Sequence, residues 1–477
     1  MGSTSSECPR PRRCDEVGAR EAAVEPGMER AGHGSGQGAA APDEGPVASH
    51  LLPATASVGA DQSLSVGGVD LVTLAEEHGT PLFVYDEDHL RSRCAEAKEA
   101  FGEGTAYATK AFLCKAMARL AWEEGLWLDV STAGELHVAL SAGVPAGRLV
   151  LHGNNKSDAE IERALAAGVG KIVVDSHDEL HRLERALGEA GGARHGGRNG
   201  GRTARVLVRV TPGVEAHTHE FVRTGQEDSK FGFGLASGEA GRAIERLCRM
   251  RGVEVVGVHA HIGSQVFRVE SFAEEVEALA GFFSPLGLQE LSIGGGLGVA
   301  YVGAEHAPSI AEWAMAVRGA CRRAGIPEEV QVTAEPGRAI AATAGMTLYT
   351  VGTVKELPGI RTYVAVDGGM SDNPRPVLYG SGYEAFLPRC AAAPRPRAVR
   401  VVGKHCESGD VVVADARVPL SLEVGDVLAT PVTGAYGYSM ASNYNKVPRP
   451  EVVFVSGSTA RVVVRREVEE DMVRLDV

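Results

Sequence analysis

From residue 105 onward a single rhythm governs the chain. Short runs enriched in apolar and β-branched residues recur: "TAYATK" (105–110), "LWLDVST" (126–132), "RLVLHGN" (148–154) and "KIVVDS" (171–176). "ARVLVRVTPG" (204–213), "VVGVHAHIGS" (255–264), "LQELSIGGG" (288–296) and "QVTAEPGR" (331–338) continue the series. Helical stretches such as "CKAMARLAWEEG" and "SDAEIERALAAG" separate the runs, and the second opens on Ser157 with Glu160 three residues later, the pattern of a capping box. Strands joined by crossover helices run parallel, and eight of them close a (β/α)8 barrel. Continuous apolar runs suit strands covered on both faces. An open, doubly wound α/β sheet is the other architecture this alternation permits, and the count favours the TIM barrel.

The rhythm has limits on both sides. After residue 340, "MTLYTVGTVKE", "TYVAVDGG", "RAVRVVGKHCESGDVVVA" and "PEVVFVSGSTARVVVRRE" are strand-like runs broken by Gly, Pro and Asp, with no long amphipathic helix between them. The expected organisation is a barrel over 85–340 and a β-rich domain over 341–477, which the segment 61–84 joins. Residues 1–60, with "RAGHGSGQGAAAPDEGP", hold too few large apolar residues to offset the entropy of ordering, so they read as a disordered extension. "GGARHGGRNGGR" (191–202) reads as a flexible surface insertion.

Composition excludes several partners. The 477 residues carry a formal net charge of −14, which disfavours nucleic acid and anionic membranes. No apolar run approaches the roughly 18 residues of a membrane span. The 8 cysteines are scattered without CxxC pairs, which suggests reduced thiols and a cytoplasmic location.

Polar residues cluster at the C-terminal ends of the expected barrel strands, the face on which barrel enzymes keep their chemistry. Lys110 ends strand 1, Asp129 strand 2, His152 and Asn154 strand 3, and Asp175 strand 4. Arg209 lies on strand 5, His259 and His261 on strand 6, Gly294, Gly295 and Gly296 follow strand 7, and Glu335 and Arg338 follow strand 8. Glycines after strand 7 let backbone N–H groups approach phosphate oxygens. A lysine deprived of solvent becomes a nucleophile toward aldehydes. An aldehyde bearing a phosphate suggests pyridoxal 5′-phosphate, whose ring nitrogen needs an acidic partner, and Glu335 is the candidate. "HTH" (217–219) and "HAH" (259–261) also look like metal ligands, as in metal-dependent barrel hydrolases. No H-x-H ends strand 1, however, and strand 8 ends in "EPGR" without a metal-binding Asp.

In order, the chain carries "YATKA", "LDVSTAGEL", "HGNNKS", "AHTHEFVRTGQEDSKFGFG", "HAHIGSQ", "GGGLG", "EPGR", "DGGMSDNPRPVLYG", "GKHCESGD" and "GAYGYSMASNYN". On these motifs the chain resembles, from about residue 66 to the C-terminus, the diaminopimelate decarboxylases of the fold-type III, alanine-racemase-like pyridoxal-phosphate enzymes. The resemblance implies that Lys110 is the Schiff-base lysine, that His261 stacks on the cofactor ring, and that Ser264 binds its phosphate. Gly294–Gly296 and the backbone of Glu335, Pro336, Gly337 and Arg338 would also bind phosphate, with Glu335 on the pyridine nitrogen. Asp129 joins this cofactor-binding set, and Tyr436 would lie near cofactor and substrate. Arg338, Arg375 and Tyr379 would hold the carboxylates and far end of meso-diaminopimelate. Cys406 would protonate the carbon that has lost carbon dioxide, giving lysine, and Glu407 would read the distal amino group. Both would reach into the partner subunit's site, which implies a homodimer. "HTHEFVRTGQEDSKFGF" suggests a mobile lid. "STAGEL" and "GSGYEA" depart from the usual forms of their motifs. An ornithine or arginine decarboxylase of the same fold is the nearest alternative, and the arginines Arg338 and Arg375 argue against it. A racemase would place a second acid/base, typically tyrosine, where Cys406 stands. A catalytically inert carrier of this fold would have no need of both Lys110 and Cys406.

Overall fold

The computed structural model describes residues 45–191, 203–214 and 228–477. Eight parallel strands follow the alternation read from the sequence: β1 (Ala106–Ala108), β2 (Trp127–Val130), β3 (Leu149–Leu151), β4 (Lys171–Val174), β5 (Ala204–Thr211), β6 (Val253–His259), β7 (Glu290–Ser292) and β8 (Gln331–Thr333). They pair in sequence order. The Ala106 and Ala108 amides donate to the carbonyls of Ala334 and Pro336 at 3.0 and 3.2 Å, joining β8 back to β1. The sheet is therefore a barrel and not an open doubly wound sheet.

Side-chain alternation along the strands builds two cores. Val150, Val173, Leu207 and Val256 form a small cluster with Trp127 inside the barrel. Their strand neighbours, including Leu149, Leu151, Ile172, Val174, Val206 and Val208, join the large core beneath the outer helices. The barrel floor is charged. Lys171 and Glu290, each 3% exposed, lie 2.6 Å apart at the start of β4 and β7. Thr333 donates to Glu290 at 3.2 Å, and the Lys171 ammonium sits 4.5 Å from the Trp127 ring. Among the outer helices, Asp158–Ala167 begins with the expected Ser157–Glu160 capping box, and Glu160 also accepts the amide of Ala133 at 2.9 Å.

Beyond the barrel lie β9 (Gly345–Leu357), β10 (Arg361–Val366), β11 (Arg397–Val402), β12 (Val411–Val418), β13 (Val427–Pro431), β14 (Glu451–Ser456) and β15 (Thr459–Val464). The thirteen residues of β9 organise this sheet, pairing with β10, with β13 and with the strand Leu82–Asp86. Leu82–Asp86 runs parallel to β14 on its other side, so a strand that precedes the barrel completes a sheet that follows it.

One expectation is corrected. The extension read as disordered through residue 60 is packed from residue 45 onward. Leu51 is fully buried, Arg395 donates to the carbonyl of Gly45 at 2.8 Å, and Thr55 donates to Asp86 at 2.8 Å. Two or three well-placed apolar side chains and a guanidinium hold a segment whose composition alone lacks any periodic signal. Residues 1–44 and 192–202 lie outside the described residues.

Candidate active site

Lys110 occupies a 3-10 turn, Thr109–Ala111, just beyond β1 and not on the strand itself. Thr109 pins the turn to β2 by donating to the Asp129 carbonyl at 2.7 Å. The loop that follows β13 also holds it, the Tyr436 amide donating to the Ala111 carbonyl at 2.8 Å. Tyr436 adopts φ +61°, a left-handed conformation costing a non-glycine residue roughly 1–2 kcal/mol. The Lys110 side chain is exposed, because it opens onto a cavity of about 510 Å³ that it helps to line. Its solvent deprivation therefore depends on what fills that cavity.

Acids and imidazoles form the far wall. Glu335 receives His259 Nε2 at 3.0 Å on one oxygen and Ser292 Oγ at 3.2 Å on the other. His152 Nε2 stands 3.3 Å from Glu335 and 3.6 Å from Asp129. Burial by itself would raise the Glu335 pKa. The charges and hydrogen bonds of His152 and His259 outweigh it and hold the carboxyl well below the usual range. Asp129 fares differently: burial pushes it up to about 6, against the pull of His152. His152 is raised despite burial, by Asp129 and Glu335. The donor atoms of His152, His259 and Glu335 lie within 4.8 Å of one another, a spacing a metal could use. Of the two H-x-H pairs, 217–219 lies outside the described residues. His259 and His261 divide between separate tasks.

His261 accepts the Gly295 amide on Nδ1 at 3.1 Å, which places its proton on Nε2. Burial, with the positive charges of Lys110 and Arg209, holds this imidazole well below its usual pKa, so it is neutral. Gly295 and Gly296 reach the cavity wall. Gly296 has φ +114°, and a β-carbon there would run into the carbonyl oxygen of Gly263. Gly294 stands behind the wall, its amide donating to Ser292 Oγ at 3.3 Å and its carbonyl accepting from Glu335 at 2.7 Å. Pro336, Gly337, Arg338, Ser264 and Tyr436 line the same cavity, as does Asn154. Asp175 and Arg209 pair at 3.6 Å, with the guanidinium 4.2 Å from the Phe231 ring.

A second cavity of about 290 Å³ shares Lys110, Ser264, Arg338 and Tyr436 with the first and adds Arg375, Tyr379 and Ser381. Arg338 and Arg375 are 7% and 6% exposed, yet neither forms an ion pair with a carboxylate among the described residues. Arg338 donates to Tyr301 at 2.6 Å and to Ser264 at 2.7 Å. Arg375 donates to Tyr383 and Ser381, both at 3.1 Å. The Tyr436 ring lies 4.7 Å from one guanidinium and 5.5 Å from the other. Sequence reasoning missed Tyr301, Ser381 and Tyr383, and the only signal was the departure at "GSGYEA", which contains the last two. Cys406 and Glu407 are exposed and line neither cavity. Of the expected lid, 217–227 lies outside the described residues, and Phe231 beyond it lines the larger cavity.

The larger cavity suits pyridoxal 5′-phosphate. It offers an amine for the aldehyde, a neutral flat imidazole, an ionised carboxylate for a protonated ring nitrogen, and a wall on which side chains would crowd a phosphate. Barrel and site thus define a pyridoxal-phosphate-dependent decarboxylase of this fold, and residues 87–342 match the family model for the pyridoxal-dependent decarboxylase, pyridoxal binding domain. A diaminopimelate decarboxylase from Mycobacterium tuberculosis is 48% identical over 432 residues, covering 86% of this chain and 94% of that protein. One from Bacillus subtilis is 46% identical over 435 residues, covering 87% and 95%. The crystal structure of the diaminopimelate decarboxylase from M. jannaschii in co-complex with L-lysine superposes with a TM-score of 0.81 at 33% identity, covering 89% of this chain and 98% of that one. The chain belongs to the diaminopimelate decarboxylase family.

Proposed function

We propose that this chain converts meso-2,6-diaminopimelate to L-lysine and carbon dioxide with pyridoxal 5′-phosphate. The observation that carries the reading is the pair of buried guanidiniums, Arg338 and Arg375, beside Lys110 and without carboxylate partners among the described residues. A substrate with a carboxylate at each end neutralises both. One ending in an amine alone, such as ornithine, leaves a buried charge unpaired at a cost of several kcal/mol.

When bound, the cofactor supplies an aldehyde and a ring that accepts the electron pair released with carbon dioxide. Lys110 provides the amine that holds and releases it. Glu335, kept ionised, would accept the hydrogen bond of a protonated ring nitrogen, and the His261 ring would support one face of the cofactor. Gly295, Gly296 and Ser264 would hold the phosphate. Arg338, Arg375 and Tyr379 orient the substrate. Cys406 gives one proton to the carbon that lost carbon dioxide, and Glu407 binds the distal ammonium. Exposure of both, off the cavities of their own chain, supports their acting in a partner's site and hence a homodimer. The pairing of Leu82–Asp86 with β9 and β14 supports assigning 61–84 to the β-rich domain over 341–477, beside a barrel over 85–340. Among the described residues no helix is long and apolar enough to cross a membrane, and 6 free cysteines fit a cytoplasmic enzyme.

The test is to incubate purified protein with cofactor and meso-diaminopimelate, with ornithine in parallel, and to measure lysine and carbon dioxide. Lysine should form, Lys110→Ala should abolish it, and Cys406→Ala should slow it strongly while sparing cofactor absorbance. Faster turnover of ornithine, or normal turnover by Lys110→Ala, would overturn the reading.

A further inference from the structure

His405 stands between the exposed residues Lys404 and Cys406, yet is itself only 7% exposed. Both its ring nitrogens are engaged: Nε2 lies 2.8 Å from Ser371 Oγ and Nδ1 lies 3.2 Å from Asn445 Oδ1. Its amide donates to Asp410 at 2.8 Å, and the same carboxylate accepts the Met370 amide at 2.6 Å. Its carbonyl accepts the Glu407 amide at 2.8 Å. Ser371 in turn accepts the Ser442 amide on its carbonyl at 3.0 Å. The fit is close enough that a β-carbon on Gly369 would come within 2.8 Å of the His405 ring. One imidazole therefore ties three segments together: 368–372, the loop 403–410 that carries Cys406 and Glu407, and 442–446. That loop has no helix or strand of its own to fix it.

The geometry points to His405 as a positioning residue that acts across the subunit interface. It fixes the Cys406–Glu407 loop, so the group that protonates the product in the partner's site arrives at a set place. This rests on the shared-site homodimer described above. The chemistry is unchanged; what His405 supplies is alignment of a proton donor, where an error of about 1 Å can cost on the order of 100-fold in rate.

The test uses full-length chains and hybrid dimers. H405A homodimers should keep cofactor absorbance and KM while kcat falls roughly 10- to 100-fold. H405Q, whose amide reaches Ser371, should recover most of the loss. In a hybrid of H405A with K110A, the one site holding Lys110 lies on the H405A chain and receives its loop from the K110A chain, where His405 is intact. That hybrid should turn over at half the wild-type rate per dimer. If it stays as slow as the H405A homodimer, His405 acts within its own site and the inference fails. Equal damage to KM and kcat, or no gain with H405Q, overturns it too. Where H405A does not fold, H405N gives the same comparison, since it keeps a group near Asn445 and loses Ser371. A C406A–K110A hybrid separates the two levels, because without recovery there it is the shared-site dimer that fails.

Discussion

Arg375 is the residue at which the substrate reading can be measured. A guanidinium has five N–H donors. Arg375 commits Nε to Tyr383 and one Nη2 hydrogen to Ser381, so five minus two leaves three for substrate. A charge-assisted hydrogen bond contributes about 1.5–3 kcal/mol. Truncation in Arg375→Ala removes a forked pair of them but lets water into the enlarged space. The expected net loss is about 3–4 kcal/mol, or roughly 100- to 1000-fold in kcat/KM for diaminopimelate. Arg375→Lys keeps the charge and loses the planar fork, at about 1–2 kcal/mol, roughly 5- to 30-fold. The assay is lysine formation against substrate concentration, with cofactor absorbance and thermal melting as controls for loading and folding. Ornithine run in parallel supplies the sharper readout. Arg375→Ala also removes the unpaired charge that penalises ornithine, so discrimination between the two substrates should narrow. A loss below about threefold for diaminopimelate, or an unchanged preference over ornithine, would refute the assignment.

Three further outcomes follow from other parts of the molecule. Burial pushes Asp372 up to about 7 from its ordinary 3.8, so the native state binds the extra proton and its contribution to stability, full below pH 3.8, is lost as pH rises through about 7. Asp372→Asn keeps an acceptor for the Gly369 amide and should remove up to about 2–3 kcal/mol of decline between pH 5 and 7, read by urea unfolding; parallel pH profiles would contradict this. Gly296→Ala, at φ +114°, should weaken cofactor binding at least about tenfold with the barrel's circular dichroism intact, and normal loading would count against the glycine wall. Lys171→Met should cost about 3–5 kcal/mol by stranding Glu290 in the barrel floor, with Lys171→Met/Glu290→Leu recovering most of it in denaturant titrations; a single-variant loss under about 1 kcal/mol would remove the floor's importance.

The barrel was legible because its strands are covered on both faces and announce themselves as apolar runs, and because Ser157 and Glu160 cap a helix in the expected way. Strand ends were less legible. Lys110 falls in a turn beyond a strand only three residues long, since the barrel stops where its catalytic loops begin. The phosphate wall could be located from "GGGLG", but Gly294 and Gly296 both hold positive φ, and only coordinates show that Gly296 lines the cavity while Gly294 stands behind it. Tyr301 carries no local signal, and Tyr383 only the departure at "GSGYEA". Their hydroxyls accept from arginines 37 and 8 residues away, and one lies in the barrel segment while the other lies near the second sheet. The packed residues 45–60 were read as disordered, because anchoring by Leu51 and Arg395 is a long-range effect that local composition does not encode.

The strand Leu82–Asp86 finds its neighbours in β9 and β14, and its Cα partner for Leu82 is Glu451. A ribosome making this chain releases that strand hundreds of residues before its last partner exists, so contacts of very long loop closure must form late. Until then its open amides offer a template to any other extended peptide nearby. A nascent chain stalled before residue 451 would hold a completed barrel sequence beside an unpaired edge, which makes the interval before that residue emerges the one most exposed to aggregation.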